Sequence, residues 1–167
     1  MKFAESELNQ ITADTWKILL GEELEPRGDA VLPAQMDEPV AACAQIVGDW
    51  QLMVLLYCPL GLARHAAEVM LGVAKGGATT DDVQDVLCEL INIISGNIKG
   101  VLSGSNRLSL PHIVNGSDFQ LRFPRHVLLS EASFAYDGQP LVVRLLGEDR
   151  LATRSGKPSS ASAGGAN

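Results

Sequence analysis

Two apolar runs, "VAACAQIV" (Val40–Val47) and "QLMVLLYC" (Gln51–Cys58), flank the tight-turn pair Gly48-Asp49. Two strand-like segments joined by such a pair read as a β-hairpin. The second arm is apolar at nearly every position and does not alternate. A strand of that kind is buried on both faces, so it belongs in the middle of a sheet with other elements packed on it.

Helical spacing appears on either side of this hairpin. From about Ser6 to Leu20, Leu8, Ile11, Thr15 or Trp16, and Leu19 recur on one side, and Gly21 supplies a stop. After Pro59, Leu62, Ala66, Val69 and Met70 mark a second helix that ends at Gly72. Thr79 or Thr80 caps a third helix, which continues to about Leu102 with Asp81 and Asp82 in its first turn. The proline-rich connector "EELEPRGDAVLPAQMDEP" leaves room for a short strand around Ala30–Gln35. Beyond the third helix, "RLSLPHIVNG", "DFQLRFP", "HVLLSEASFAY" and "PLVVRLLGE" read as strands, the last two joined at Asp137-Gly138-Gln139. The expected fold class is α+β, a sheet rich in antiparallel pairs packed against long helices.

The 167 residues suffice for one domain with a real core, expected over residues 1–149. Residues 150–167 are rich in Gly, Ser and Ala and are expected to form a disordered tail. The net charge of −7 and the lack of any Lys/Arg run argue against a nucleic-acid partner. The N-terminus "MKFAESELNQ" has no apolar stretch of signal-peptide length and no apolar run approaches a membrane span, so no export signal or membrane association is expected. Cys43, Cys58 and Cys88 are odd in number and far apart. They read as reduced core thiols of a cytoplasmic protein.

The third helix carries the most information. Val83, Leu87, Leu90, Ile94, Ile98 and Val101 form an apolar stripe at about 100° per residue. Asp85, Glu89, Asn92, Gly96, Lys99 and Ser103 fall on the opposite side. Glu89 and Asn92 are three residues apart, hence surface neighbours. Gly96 costs about 1 kcal/mol relative to Ala inside a helix, and it leaves a smooth spot where another backbone can approach. Asn97 lies nearer the apolar side and, if buried, needs a hydrogen-bond partner. From the residues alone, this polar stripe is either a solvated face or a binding edge.

"DVLCELINIISGNIKG" resembles the signature helix of the CheX/CheC/FliY chemotaxis phosphatases, in which Asp or Ser, Glu and Asn recur as (D/S)-x-x-x-E-x-x-N. Asp85, Glu89 and Asn92 fill that pattern, and Gly96, Asn97 and Lys99 extend it. Pro111, in "RLSLPHIVNG", stands where the family has an apolar-Pro-apolar strand. The hairpin and "LGLARHAAEVMLG" are similar to the family's as well, so the resemblance covers roughly residues 40–148. The Asn92–Pro111 interval is a few residues shorter than usual. A single E-x-x-N is present, since "ESELNQ" has the wrong spacing, which suits CheX-like members better than the two-motif CheC type.

The resemblance implies a CheC/CheX-like fold and dephosphorylation of a response regulator's receiver domain. Asn92 would orient the attacking water, its amide having both a donor and an acceptor. Glu89 would pair with the receiver's Lys, with Asp85, Gly96 and Lys99 along the docking edge. Asn97 and Pro111 would serve as structural members of the motif, and Lys99 reads more readily as a solvated charge at the helix C-terminal turn. No cofactor of its own is implied; Mg²⁺ would sit in the partner. A homodimer joined through sheet edges is also implied.

No other catalytic set is evident. His65, His112 and His126 lack metal-ligand spacing, "GVAKGGATT" precedes no phosphate-binding helix motif, and no Ser or Cys sits in a nucleophile context. Three readings remain: a receiver phosphatase, a receiver-binding module without hydrolysis, and a structural dimerisation domain.

Overall fold

The computed structural model describes residues 3–114 and 125–148. Its elements run α1 (Glu5–Leu20), β1 (Glu25–Pro26), β2 (Pro39–Gly48), β3 (Gln51–Pro59), α2 (Leu60–Leu71), α3 (Thr80–Val101), β4 (Asn106–Leu108), β5 (His112–Val114), β6 (His126–Tyr136) and β7 (Gln139–Glu148). The strands form one seven-stranded antiparallel sheet in the order β1-β6-β7-β3-β2-β4, with β5 also paired to β2. The expected α+β class is therefore observed.

β3 takes the central place that its continuous apolar run requires. It pairs with β2 on one side and β7 on the other, and Leu52–Pro59 are all buried. Strand periodicity then divides the sheet's two faces. Ala42, Ala44 and Ile46 of β2, Val54 and Leu56 of β3, and Val143 and Leu145 of β7 pack with Leu8 and Trp16 of α1, Leu62 of α2, and Leu90, Ile94 and Ile98 of α3. On the other face Ala41, Leu55, Tyr57 and Val142 form a smaller cluster with Ala30 and Met36 of the connector. There the Arg144 guanidinium lies 5.4 Å from the centre of the Tyr57 ring and bonds Glu131 at 2.6 Å.

Turn chemistry sets the registers. Asp137 and Gly138 both have positive φ, 47° and 75°, as a two-residue hairpin of the primed kind requires. Gly48 has a different reason to be glycine. A Cβ there would collide with the Ser105 carbonyl, because β4 passes directly beside the first hairpin. Asp49 locks that approach: its N–H donates to the Ser105 carbonyl at 3.1 Å, and its carboxylate accepts from the Ser105 N–H at 2.8 Å. Gly48→Ala is expected to destabilise the fold by about 2 kcal/mol or more, a fall in Tm of roughly 4–8 °C. Calorimetry checks this; an unchanged Tm would mean that β4 does not press on the hairpin.

Several expectations need correction. The connector has no strand at Ala30–Gln35; it makes a 3-10 turn at Pro33–Gln35 and pairs with the sheet earlier, through Glu25–Pro26. Pro33 fixes the backbone for a turn and has no N–H for a ladder, and the Gln35 side chain accepts from the Leu32 N–H at 2.9 Å. "RLSLPHIVNG" gives two short strands, not one. Val101 is 54% exposed and Val69 38%: each lies in the last turn of its helix, turned from the core on which Ile98 and Met70 of the same turns pack. Asn97 is exposed as well, so no buried partner is required. The segment "DFQLRFP" and the tail 150–167 lie outside the described residues.

Candidate functional site

α3 is a well-anchored helix. Thr79 is its N-cap: Thr79 Oγ1 accepts from the Asp82 N–H at 3.1 Å, and the Asp82 carboxylate accepts from the Thr79 N–H at 2.8 Å. This reciprocal cap satisfies two of the donors that every helix start leaves open. Asp81 and Asp82 in the first turn and Lys99 in the last complement the helix dipole. Underneath, Val83, Val86, Leu87, Leu90, Ile91, Ile94, Ser95 and Ile98 are buried against the sheet and the other helices. A helix fixed at its cap and along its whole underside presents its outer face as a rigid surface.

On that outer face Asp85, Glu89 and Asn92 are exposed, while Gly96 and Lys99 are half-buried; Asn97 is exposed on the helix's flank, about 140° round from Asn92. None of the five polar side chains has a hydrogen bond or ion pair among the described residues. Glu89 and Asn92 stand one turn apart on the same face, with free carboxylate and amide groups. A Cβ added at Gly96 would meet only Leu108 Cδ1, at 3.9 Å, an ordinary contact. At Gly100, one turn further, it would meet nothing within 4 Å. Internal packing therefore demands neither glycine, and together they leave a shallow strip beside Asn92.

Beside α3 runs the edge of the sheet. β4 pairs with β2 through Ile46↔Leu108 and β5 through Cys43↔His112. Two β2 residues, Ala44 and Gln45, thus face three, Ser109, Leu110 and Pro111, which is a bulge. Ser109 holds it: its N–H donates to the Gln45 carbonyl at 2.9 Å, and its hydroxyl accepts from the Gln45 N–H at 2.9 Å. Pro111 lies half-buried where the two strands meet, a position that needs no ladder donor. Leu110 is turned outward and is 81% exposed. Reading the sequence as one strand here missed that leucine; the signal was a proline directly after an apolar residue in a short edge strand.

The thiols are not nucleophiles in waiting. Burial raises the Cys58 thiol to about 12. Burial and then the Asp85 charge raise Cys88, and burial and then Cys88 raise Cys43. Thiols held up in this way stay protonated and unreactive at neutral pH. His65 bonds both carboxylate oxygens of Glu22, at 2.8 and 3.0 Å, and stacks on Tyr136 at 4.9 Å. It clamps α1's end to α2 and β6. A cavity of about 650 Å³ beside it is lined by Arg64, Glu68, Lys75 and Tyr136 and by no residue of the α3 face. Among the described residues no group of three or more His, Cys, Asp or Glu could hold a metal ion. No helix among them is long and apolar enough to cross a membrane.

The chain is similar in structure to the chemotaxis protein CheX from Vibrio vulnificus, at 17% identity and a TM-score of 0.68, covering 84% of this chain and 93% of that one. It is similar to CheX in the CheX-CheY-BeF3-Mg complex from Borrelia burgdorferi, at 14% identity and a TM-score of 0.66, over 86% of this chain and 97% of that one. FliY from Thermotoga maritima shares the fold more distantly, at 16% identity and a TM-score of 0.52, over 92% and 96% of the two chains. No curated protein matches in sequence. The family model described as chemotaxis phosphatase CheX matches residues 40–135, which include Asp85, Glu89, Asn92 and Pro111. That match spans more than half of the 167 residues, and the chain belongs to the CheX family of chemotaxis phosphatases.

Proposed function

We propose that this protein dephosphorylates the phospho-aspartate of a CheY-like receiver domain, using the outer face of α3. One observation carries the reading: Glu89 and Asn92 stand side by side on a rigid helix, exposed and without a hydrogen bond or ion pair among the described residues. An acyl phosphate is already activated, so what the reaction lacks is a placed water. The Asn92 amide can accept from that water and donate to it, fixing it for in-line attack. Glu89 pairs with a receiver lysine and sets the register of docking, with Asp85 extending the acidic edge. Gly96 and Gly100 let the partner's backbone approach, and Lys99 lies at the end of the same strip. Asn97 and Pro111 shape the helix end and the edge strand.

The protein contributes no cofactor in this scheme; Mg²⁺ belongs to the receiver, and the pair meets in the cytoplasm. The test is release of inorganic phosphate from purified receivers of the same organism, phosphorylated with acetyl phosphate and freed of excess donor. Faster release on adding the protein supports the phosphatase. Binding without acceleration supports a docking module of the same fold, for which the shortened Asn92–Pro111 interval is the motivating departure.

The protein also forms a homodimer in this reading. β1 pairs with β6 at Phe134 and Ala135 and the Arg27 N–H adds a bond to the Ser133 carbonyl, but no strand among the described residues pairs with residues 128–132 on that side. An open strand edge of this kind invites pairing with a second copy. Light scattering at micromolar concentration should give twice the monomer mass of 17.8 kDa. A monomer at that concentration removes this part of the proposal.

A further inference from the structure

We infer that Leu110 is an apolar anchor for the receiver, seated beside Asn92 and distinct from the polar motif. The inference rests on the phosphatase reading and extends it to a residue outside the E-x-x-N pattern. Its position follows from the geometry of the two elements. α3 packs against both β4 and β5, so the chain doubles back along the helix after the turn at 102–105. Leu108 lies against Gly96. Leu110 is two residues further along, in the bulge between β4 and β5, and both of these strands pack on α3. The chain thus carries Leu110 past Gly96 toward the Asn92 end of the helix face.

An isolated exposed leucine needs no explanation by itself. This one is presented by a built feature. The bulge replaces a regular ladder with the Ser109 hydroxyl bond to Gln45, and it turns Leu110 out to 81% exposure. Bulges commonly re-aim side chains next to active sites. Placed beside a carboxylate and an amide that wait for a partner, an apolar side chain supplies contact area and keeps bulk water from the attacking one.

The occupant is the receiver and not a second copy of this chain. Symmetric pairing through this face would set Asp85 and Glu89 near their own counterparts, and like charges across an interface are strongly disfavoured. Pro111 removes a ladder donor, and the bulge bends the edge away from strand addition. A partner that offers a lysine beside an apolar patch fits both Glu89 and Leu110.

Leu110→Ala and Leu110→Met test this, with the receivers phosphorylated by acetyl phosphate for kinetics and activated by beryllofluoride for binding. Leu110→Ala should raise KM and the receiver Kd about tenfold, with kcat held within about twofold, because the lost contact is equal in ground and transition states. Leu110→Met should restore most of the affinity, since Met keeps the apolar volume. Tm and dimer mass should not move. Unchanged KM and Kd in Leu110→Ala, against an active wild type, overturn the anchor and leave the phosphatase reading standing. A loss of dimer mass instead assigns Leu110 to a second copy and also overturns it. A wild type that neither binds nor dephosphorylates any receiver sinks the underlying reading, and the anchor falls with it.

Discussion

Asn92→Ala is expected to lower catalysed phosphate release by on the order of 10²-fold or more, toward the receiver's own rate. The substitution removes one exposed amide with no hydrogen bond among the described residues, so no described group is left unsatisfied. Ala is also the better helix former, so α3 should hold or gain slightly in stability. Receiver binding should persist, because docking is assigned to Glu89 and Leu110. The kinetic signature is therefore a fall in kcat with little change in KM, the mark of an interaction made in the transition state. Circular dichroism, receiver affinity and phosphate release on this one protein separate the possibilities. A folded Asn92→Ala protein with undiminished activity rejects water positioning by this residue. A loss of folding would assign Asn92 a structural role that its exposure does not suggest.

Glu89→Lys should have the opposite signature. Reversing this charge places an ammonium group against the receiver's lysine, and like charges brought together at an interface cost several kcal/mol. Receiver affinity should fall by on the order of 10²-fold or more. Turnover at saturating receiver should be far less affected. The fold should tolerate the change, since Glu89 is exposed and has no ion pair among the described residues. Titration of beryllofluoride-activated receiver onto the variant measures the loss directly. An affinity equal to wild type would show that α3's outer face is not the docking face, and the register assigned to Asn92 would fall with it.

Much of the architecture was legible because strong local signals agreed with the tertiary outcome. Continuous apolarity put β3 in the centre of the sheet, and there it lies between β2 and β7. The helical stripe from Val83 to Ile98 is buried at every predicted position. Thr79 caps α3 as its side-chain chemistry suggests. Periodicity failed at the end of α3, where the buried side is narrower than the stripe. Val101 continues the stripe in sequence and is exposed, while Ile98 and Leu102 near it pack on the core. Asn97 was drawn toward the core by its angle alone and is exposed as well. The bulge at Ser109–Pro111 was out of reach of any pattern. It depends on how residues 109–111 count against Ala44 and Gln45 across the sheet, a long-range register that no local window contains. Glu89 and Asn92 could be placed on one polar face from spacing, but spacing could not say that both lack partners among the described residues, which is what makes them available.

The central position of β3 also bears on how the chain comes off the ribosome. Its partner β2 precedes it directly, but its other partner, β7, begins only at Gln139, about eighty residues after β3 ends. Until that last strand emerges, one side of the most apolar strand in the protein has unpaired peptide groups and an uncovered edge. Non-local pairing of this sort delays completion of the core, and nascent chains with open apolar edges are vulnerable to aggregation. A premature stop between α3 and β7 therefore does more than shorten the protein. It leaves an early-made hairpin permanently without its late-made neighbour, a product for chaperones and proteases to clear, even though every residue of the α3 face has already been translated.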